Sequence, residues 1–405
     1  MKFCQPFKKI ALLFGAIAGI SSVWAAPLFI GYYPDWGKWH KPAYTVDKVP
    51  YDKLTHVLWS FITPNTDGSL KGDAADDPSA LDSMVTLAHA AGTKVIVSLG
   101  GGGQSENFVP VASDDALRGK FIANLVQFVA DHNLDGLDMD WEWEYNPVPE
   151  ADTIAYSKLL TELREALPKD KSLSAALPCS PYYGKWFTPE VLVKNLDWFG
   201  FMTYDMTGDW DEKAMFDSPL YPHEGSTTWS WEETRDYWKK RGVPTEKMVF
   251  GIPSFGFQFE GATGPGSDFT SAKQVAYKDI VANTDWEYFY DSASVEPYGV
   301  SSTAYVTFED PHSSAIKSRW VKENGYAGIM VWEVSHDYIE DVGNPILDSI
   351  AAVLKETDTA IRKVRSVENR GIRGNSTTGK QIDIRGHRVQ SKQSIILLDS
   401  KRSKR

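Results

Sequence analysis

Asp135-Gly136-Leu137-Asp138-Met139-Asp140-Trp141-Glu142-Trp143-Glu144 alternates apolar and acidic residues from Leu137 onward. Successive side chains of a strand point to opposite faces. An extended segment here sets Asp138, Asp140, Glu142 and Glu144 on one face, and Leu137, Met139, Trp141 and Trp143 on the other. The acidic face cannot pack against a helix, because burying unpaired charge is expensive. It must line a polar cavity, bind a cation such as Mg²⁺ or Ca²⁺ through oxygen ligands, form an ion-pair cluster, or share protons. Proton sharing has a chemical use. Ionised neighbours disfavour a further negative charge, so one carboxyl keeps its proton towards neutral pH and can hand it to a leaving oxygen.

Outward from this segment, short apolar runs alternate with amphipathic helical stretches, the pattern of repeated βα units. Eight runs read as strands: Leu28–Tyr33, His56–Phe61, Lys94–Leu99, Gly136–Glu142, Leu173–Leu177, Trp198–Tyr204, Met248–Pro253 and Gly328–Trp332. Several end in polar residues or glycine, as strands do at the active-site face of a (β/α)8 TIM barrel. The expected fold class is therefore α/β. Leu117, Phe121, Ile122, Leu125, Phe128 and Val129 follow helical spacing behind Ser113 or Asp114 as cap. Leu159, Leu160, Leu163 and Leu167 form a second stripe, stopped by Pro168. Ser230 and Glu233 fit a capping box. These stripes are core faces and carry no chemistry. Residues 257–312, rich in Gly, Thr and aromatics, read as a small α+β insertion between strands seven and eight.

The termini read differently. Lys2, Lys8 and Lys9 precede an apolar run from Ile10 to Val23 and then Val23-Trp24-Ala25, so residues 1–25 are expected to be a secretory signal cleaved before Ala26. No later run is long enough to predict a transmembrane helix. Residues 26–355 are then expected to form the barrel and 356–405 a basic, flexible tail, either an extension that helps surface attachment or, since residues 382–389 and 394–398 distantly resemble C-terminal sorting signals of some secreted bacterial proteins, such a signal. From Thr357 on, thirteen Lys or Arg face four Asp or Glu, so the net charge of −12 conceals a body near −21. An acidic body is a poor match for nucleic acid, whose phosphates demand basic surface. Cys4 falls in the signal, which leaves Cys179 alone. It can form neither an intrachain disulfide nor a Cys-based zinc site and is expected to be a buried structural thiol. His40, His223 and His336 show no metal-ligand spacing and are expected on loops or the surface. No metal and no cofactor is expected.

Asp135 to Glu142 resembles the D-G-x-D-x-D-x-E signature of family 18 glycoside hydrolases, the chitinases and their relatives. Other segments resemble the same family in order. Ser98-Leu99-Gly100-Gly101 is similar to its S-x-G-G element, and Met202-Thr203-Tyr204-Asp205, with Gly208 and Trp210, to its strand-six element. Gly328-Ile329-Met330-Val331-Trp332, with Asp337, is similar to the strand-eight element, and the insertion sits where many members carry an α+β subdomain walling a deep groove. Gly102-Gly103 stand where members often carry an aromatic, and Leu58-Trp59-Ser60-Phe61 matches only loosely.

The resemblance implies a retaining hydrolase in which the substrate's own 2-acetamido oxygen is the nucleophile, an exception to the two-carboxylate scheme. Glu142 would be general acid, then base. Asp140 would orient the acetamido N–H and stabilise the cationic intermediate, and Asp138 would share its proton. Tyr204 would hold the acetamido carbonyl, Asp205 would contact the same sugar, and Trp332 would floor it. Met202, Trp210 and Tyr32 complete the expected substrate-binding set. Trp36, Trp39 and Trp186 lie in loops or beyond strand ends from which a groove is reachable. The implied substrate is chitin or a chitooligosaccharide, and the chain is expected to act as a monomer. Two alternatives share the signature: an endo-β-N-acetylglucosaminidase acting on N-glycans, and a non-catalytic chitinase-like lectin. Such lectins commonly lack the acid that Glu142 supplies, and the large insertion suits a deep-groove chitinase better than an N-glycan enzyme.

Overall fold

The computed structural model describes residues 26–223 and 228–356. The expected signal segment and the tail from Thr357 lie outside the described residues. Eight parallel strands close into a barrel: β1 (Leu28–Pro34), β2 (His56–Pro64), β3 (Lys94–Gly100), β4 (Gly136–Asp140), β5 (Ser172–Pro178), β6 (Trp198–Met202), β7 (Met248–Pro253) and β8 (Gly328–Trp332). Each pairs with the next in sequence, and β1 closes the ring by pairing with both β2 and β8. Every expected strand is present. Two end earlier than the residue pattern suggests, β4 at Asp140 rather than Glu142 and β6 at Met202 rather than Tyr204. The alternation persists past those ends, but the residues leave the ladder and enter the loops that carry the site.

Close approach between strands accounts for two glycines. A Cβ at Gly136 would lie 2.2 Å from the Ser172 carbonyl oxygen, so glycine lets β4 approach β5. Gly100 has φ +115°, a backbone region that favours glycine, and a Cβ there would lie 2.3 Å from the Asp140 carbonyl oxygen.

Two apolar cores follow from the alternation. The larger lies between barrel and helices and takes Leu137, Met139, Trp141 and Trp143 from the β4 segment. The smaller fills the barrel and continues into the insertion through Ile30, Leu58, Ile96, Val249, Met330, Phe255 and Tyr305. The helix Asp115–Asp131 buries Phe121, Ile122, Leu125 and Val129, and Asp114 caps it by accepting from the amides of Ala116 and Leu117, each at 2.9 Å. The helix Glu150–Ala166 buries Leu159, Leu160 and Leu163. The Ser230 hydroxyl accepts from the Glu233 amide as an N-cap and donates to the Glu233 carboxylate, so the expected capping box is only half made: the carboxylate meets the hydroxyl and not the Ser230 amide.

Between β7 and β8 a five-stranded antiparallel sheet runs in the order Ser271–Ala276, Phe255–Glu260, Ala304–Phe308, Glu296–Val300, Glu287–Asp291. It begins at Phe255, one residue after β7, and ends at Phe308, beside the expected insertion of about 257–312. Asp310 caps the helix Pro311–Asn324, with Pro311 at its first turn and Ser313 completing a capping box. That start signal was present in the sequence and marks the return to the barrel. Among the described residues no helix is long and apolar enough to cross a membrane.

Replacing Asp114 by Ala should leave the first-turn amides of Asp115–Asp131 without their acceptor. The expected cost is about 1 kcal/mol, read as a lower denaturation midpoint with unchanged hydrolytic rate.

Candidate active site

Asp138, Asp140 and Glu142 leave the C-terminal end of β4 in succession. Asp138 is 1 % exposed. Its strand register explains its partners: Ser98 on β3 and Ser174 on β5 both stand opposite it. The Ser98 hydroxyl donates to Oδ2 at 2.9 Å, Ser174 to Oδ1 at 2.6 Å, and Tyr32 from β1 to Oδ2 at 3.0 Å. Burial raises the Asp138 pKa, and these three hydroxyls pull it back. Asp140 lacks such support. Its Oδ1 is buried and accepts no hydrogen bond from the protein. Burial, Glu142 and Asp138 together hold its pKa well above the carboxylate range.

Glu142 sits beyond the strand, half-buried, with its amide donating to Ser105 Oγ at 3.0 Å. Burial raises its pKa to about 7, with Asp205 and Glu144 adding to the effect. A Cβ on Gly102 would lie 3.4 Å from Glu142 Oε1, so the glycine pair leaves that side of the carboxyl open. Glu144 is exposed, whereas Trp141 and Trp143 pack behind the barrel against Phe108, Tyr156 and Phe187.

Tyr204 lies inside the barrel mouth, edge-on to Phe255 at 5.7 Å. Burial and then the charges of Asp140, Asp205, Glu142 and Asp138 push its pKa far up, so its hydroxyl stays protonated. Asp205 follows at φ +53°, with its amide donating to Asp217 Oδ1 at 2.9 Å. Its carboxyl keeps solvent contact but lies deep enough in the groove for lost solvation to raise it to about 6, against the hydrogen bond from Gln274. Trp332, at the end of β8, is half-buried and packs against the barrel-interior cluster that includes Tyr204. Phe61 stacks against it at 5.6 Å and 24°, Tyr32 meets it edge-on at 5.6 Å, and Trp36 lies 6.1 Å away.

The expected residues thus divide. Asp138, Asp140, Glu142, Tyr204 and Asp205 are tied together by the electrostatic couplings above, and Met202 and Trp332 pack against the same barrel-interior cluster as Tyr204. Tyr32 was expected to bind substrate. It is 3 % exposed, and its hydroxyl donates to Asp138, so it supports a carboxyl instead of facing the groove. Trp210 is 60 % exposed and edge-on to Phe257 of the inserted sheet. Trp39 is exposed under Lys38, whereas Trp186 Nε1 donates to Asn146. Asp135 takes a structural position, accepting from the Val95 amide and His89 Nε2, each at 2.8 Å.

Several residues escaped the sequence reading. Ser174 interrupts the apolar run of β5 at an inward position, a signal that was legible. Phe61 was in the loosely matching second strand. Asp217, Gln274 and Ser105 lie in loops or the insertion, where no period marks them. Cys179 is a half-buried free thiol, pushed up to about 12 by burial. His40 and His336 stack at 5.9 Å, and His336 Nε2 is 3.0 Å from Glu333. His336 is therefore a packed loop residue whose charged form burial disfavours, with a pKa lowered to about 3. Among the described residues no group of three or more His, Cys, Asp or Glu is arranged to hold a metal ion.

A half-buried acid of raised pKa, a neighbouring carboxyl with an open acceptor, a protonated tyrosine and a nearby aromatic cluster suit acid-assisted cleavage of a polar, ring-containing substrate. The chain is 28% identical over 355 residues to an endochitinase of Manduca sexta, covering 76% of this chain and 63% of that one. It spans less than two thirds of the length of the first three curated relatives it matches. Among solved structures, catalytic domain 2 of the Ostrinia furnacalis Group II chitinase, as an E2180L mutant in complex with penta-N-acetylchitooctaose, superposes with TM-score 0.77 at 26% identity, covering 82% of this chain and 98% of that one. The Group IV chitinase of the same insect superposes with TM-score 0.76 at 24% identity, covering 82% and 100%. A family model described as glycosyl hydrolases family 18 matches residues 28–337, which contain every strand of the barrel and every residue of the site; the chain belongs to glycosyl hydrolases family 18.

Proposed function

We propose that the chain is a chitinase, hydrolysing β-1,4 links between N-acetylglucosamine units by substrate-assisted retaining catalysis. The observation that carries this reading is the pairing of Glu142, raised to about 7, with Asp140 Oδ1, which the protein leaves without a donor. An acid of that pKa keeps a proton for the glycosidic oxygen near neutral pH. An open acceptor beside it suits the N–H of a 2-acetamido group. Buried acceptors in native proteins have partners, and here the substrate provides one.

The residues then act in sequence. Glu142 protonates the leaving oxygen as the acetamido carbonyl oxygen attacks the anomeric carbon. The glycosidic bond breaks, and a cyclic oxazolinium forms. Asp140 holds the acetamido N–H and balances the positive charge. Tyr204 donates to the acetamido oxygen and aligns it for attack, and Trp332 floors the ring. Water, deprotonated by Glu142, then opens the oxazolinium and restores the acetamido group with the anomeric configuration retained. Before substrate binds, the hydroxyls of Tyr32, Ser98 and Ser174 favour charge on Asp138 and leave the shared proton with Asp140; as the oxazolinium forms, that proton passes to Asp138 and Asp140 carries the balancing negative charge. Asp205, Met202 and Trp210 complete the groove. The endochitinase relatives and the presence of Glu142 support this reading over a lectin, and the inserted sheet favours it over an N-glycan enzyme.

The basic start, apolar run and Val23-Trp24-Ala25 support export, to the periplasm or the extracellular space. The exported chain acts as a monomer, with its basic tail available for surface attachment. Protein recovered outside the cell should begin at Ala26, and N-terminal sequencing that reads Met1 would sink the assignment of residues 1–25 as a cleaved signal. A truncation after Lys355 should keep full hydrolytic activity.

Glu142→Gln should lower kcat on chitohexaose by about 10²-fold or more while leaving oligosaccharide binding intact by calorimetry, since Gln matches the protonated acid in shape. Near-wild-type turnover would refute the assignment. In the wild-type protein kcat/KM should fall as pH rises through about 7, the pKa of Glu142. The sign follows from the role: the acid must be protonated, so activity is present below its pKa and lost above it.

A further inference from the structure

A second cluster of buried titratable groups lies where the inserted sheet meets the barrel, directly behind Asp205. Lys317, from the helix Pro311–Asn324, has no exposed surface. Its Nζ lies 3.2 Å from Glu296 Oε2 on the inserted sheet, pairs with Glu309, and donates to the Ser218 carbonyl at 2.5 Å. Glu296 Oε1 accepts from the Ser218 amide at 3.2 Å and from the Thr307 hydroxyl at 3.0 Å. Thr307 Oγ1 in turn accepts from the Asp217 amide at 3.1 Å. Residues 217 and 218 are therefore fixed from two sides. They grip the loop that follows β6: Asp217 Oδ1 accepts from the Asp205 amide, and the Ser218 hydroxyl donates to the Thr203 carbonyl at 2.5 Å.

Asp205 needs that grip. At φ +53° it occupies the left-handed region, which a non-glycine residue adopts only when its surroundings impose it. Its amide donates to Asp217, and its carboxyl, hydrogen-bonded by Gln274, lies near enough to Glu142 for its charge to raise the proton affinity of that acid. We propose that Asp217, locked by Lys317, Glu296 and Thr307, is a positioning residue that holds the Asp205 carboxyl against Glu142 and so keeps the proton on the acid. The inserted sheet then reaches the proton-transfer step through a chain of named hydrogen bonds. This assignment rests on the reading of Glu142 as the acid.

The groups around Glu142 decide the direction of the effect. Asp205 and Glu144 raise its pKa, Asp140 is coupled to it, and Tyr204 and Tyr183 face it as neutral phenols. Behind Asp205 stand Asp217, Cys179 and Gln274, with Glu296 and Lys317 beyond. Once the Asp205 carboxyl is released, Glu142 loses its largest charge neighbour, and its proton leaves at lower pH.

The test compares Asp217→Ala with Asp217→Asn on chitohexaose, following kcat/KM against pH and the thermal midpoint of each protein. Asn keeps the acceptor for the Asp205 amide; Ala removes it. D217A should move the alkaline limb to lower pH and lower kcat about tenfold, whereas D217N should keep the limb and lie within about twofold of wild type. A D217A limb that stays put while the thermal midpoint falls shows a merely structural role and overturns the proposal, as does a D217N limb that moves with D217A. Should D217A fail to fold, Thr307→Val removes the hydroxyl between Asp217 and Glu296 at constant shape. Its limb should shift the same way, and an unmoved limb again overturns the proposal. The wild-type profile separates the two readings: without a limb near neutral pH the acid assignment fails, whereas a limb indifferent to Asp217 fails this one alone.

Discussion

Asp138 in the barrel interior is the constraint around which β1, β3, β4 and β5 are arranged. A carboxyl taken out of water is costly unless hydrogen bonds replace its solvent. Here the replacements are three hydroxyls, from Tyr32 on β1, Ser98 on β3 and Ser174 on β5. Two of the donors stand opposite Asp138 in the strand register, so a slip of one residue in β3 or β5 would turn a serine away from it. Barrel register and site electrostatics are therefore one requirement. The same arrangement leaves Asp140 with the higher proton affinity and gives the two aspartates distinct parts from almost identical surroundings.

The molecule meets a second buried-charge problem with a different solution. At the junction with the inserted sheet, Glu296 and Glu309 close on Lys317, all three without exposed surface. Such a buried pair adds little net stability, because desolvation offsets most of its attraction, yet removing one partner typically costs about 3–5 kcal/mol. Its value lies in specifying one docking geometry for the sheet. Hydroxyls suit Asp138, where a fixed cation would depress the pKa of the neighbouring acids. A cation suits the junction, where no proton needs to move.

How much of this was legible follows from where periodicity reaches. Short apolar runs between helical stretches exposed all eight barrel strands, because a closed ring covered by helices buries both of their faces, and alternation exposed the inward face of β4. Leu159, Leu160 and Leu163, like Phe121 and Leu125, were legible as helix faces for the same reason. Boundaries were less so. Trp141 and Glu142 continue the pattern of β4, although the ladder stops at Asp140, since burial on both sides preserves alternation after hydrogen bonding has ended. Tyr32 was misread because its position at a strand end fits both a groove residue and a partner for Asp138. Only the distance to Oδ2 separates the two.

Asp205, Asp217, Lys317 and Glu296 mark the limit of sequence reading most clearly. They lie more than a hundred residues apart at the extremes, on a loop, a helix and an inserted sheet, and no pattern relates them. A buried lysine in a helix looks like any surface lysine until its partners are placed. Acidic residues scattered through loops add to a strongly negative body, which in sequence argues only about solubility and partners. Folding converts part of that charge into a field with a direction. Asp205 and Glu144 press on Glu142, and Asp138 and Glu142 press on Asp140, each raising the proton affinity of the next. The acidity of the chain is thus concentrated where one proton must be retained near neutral pH, and the inserted sheet holds that concentration in place by fixing the backbone of Asp205.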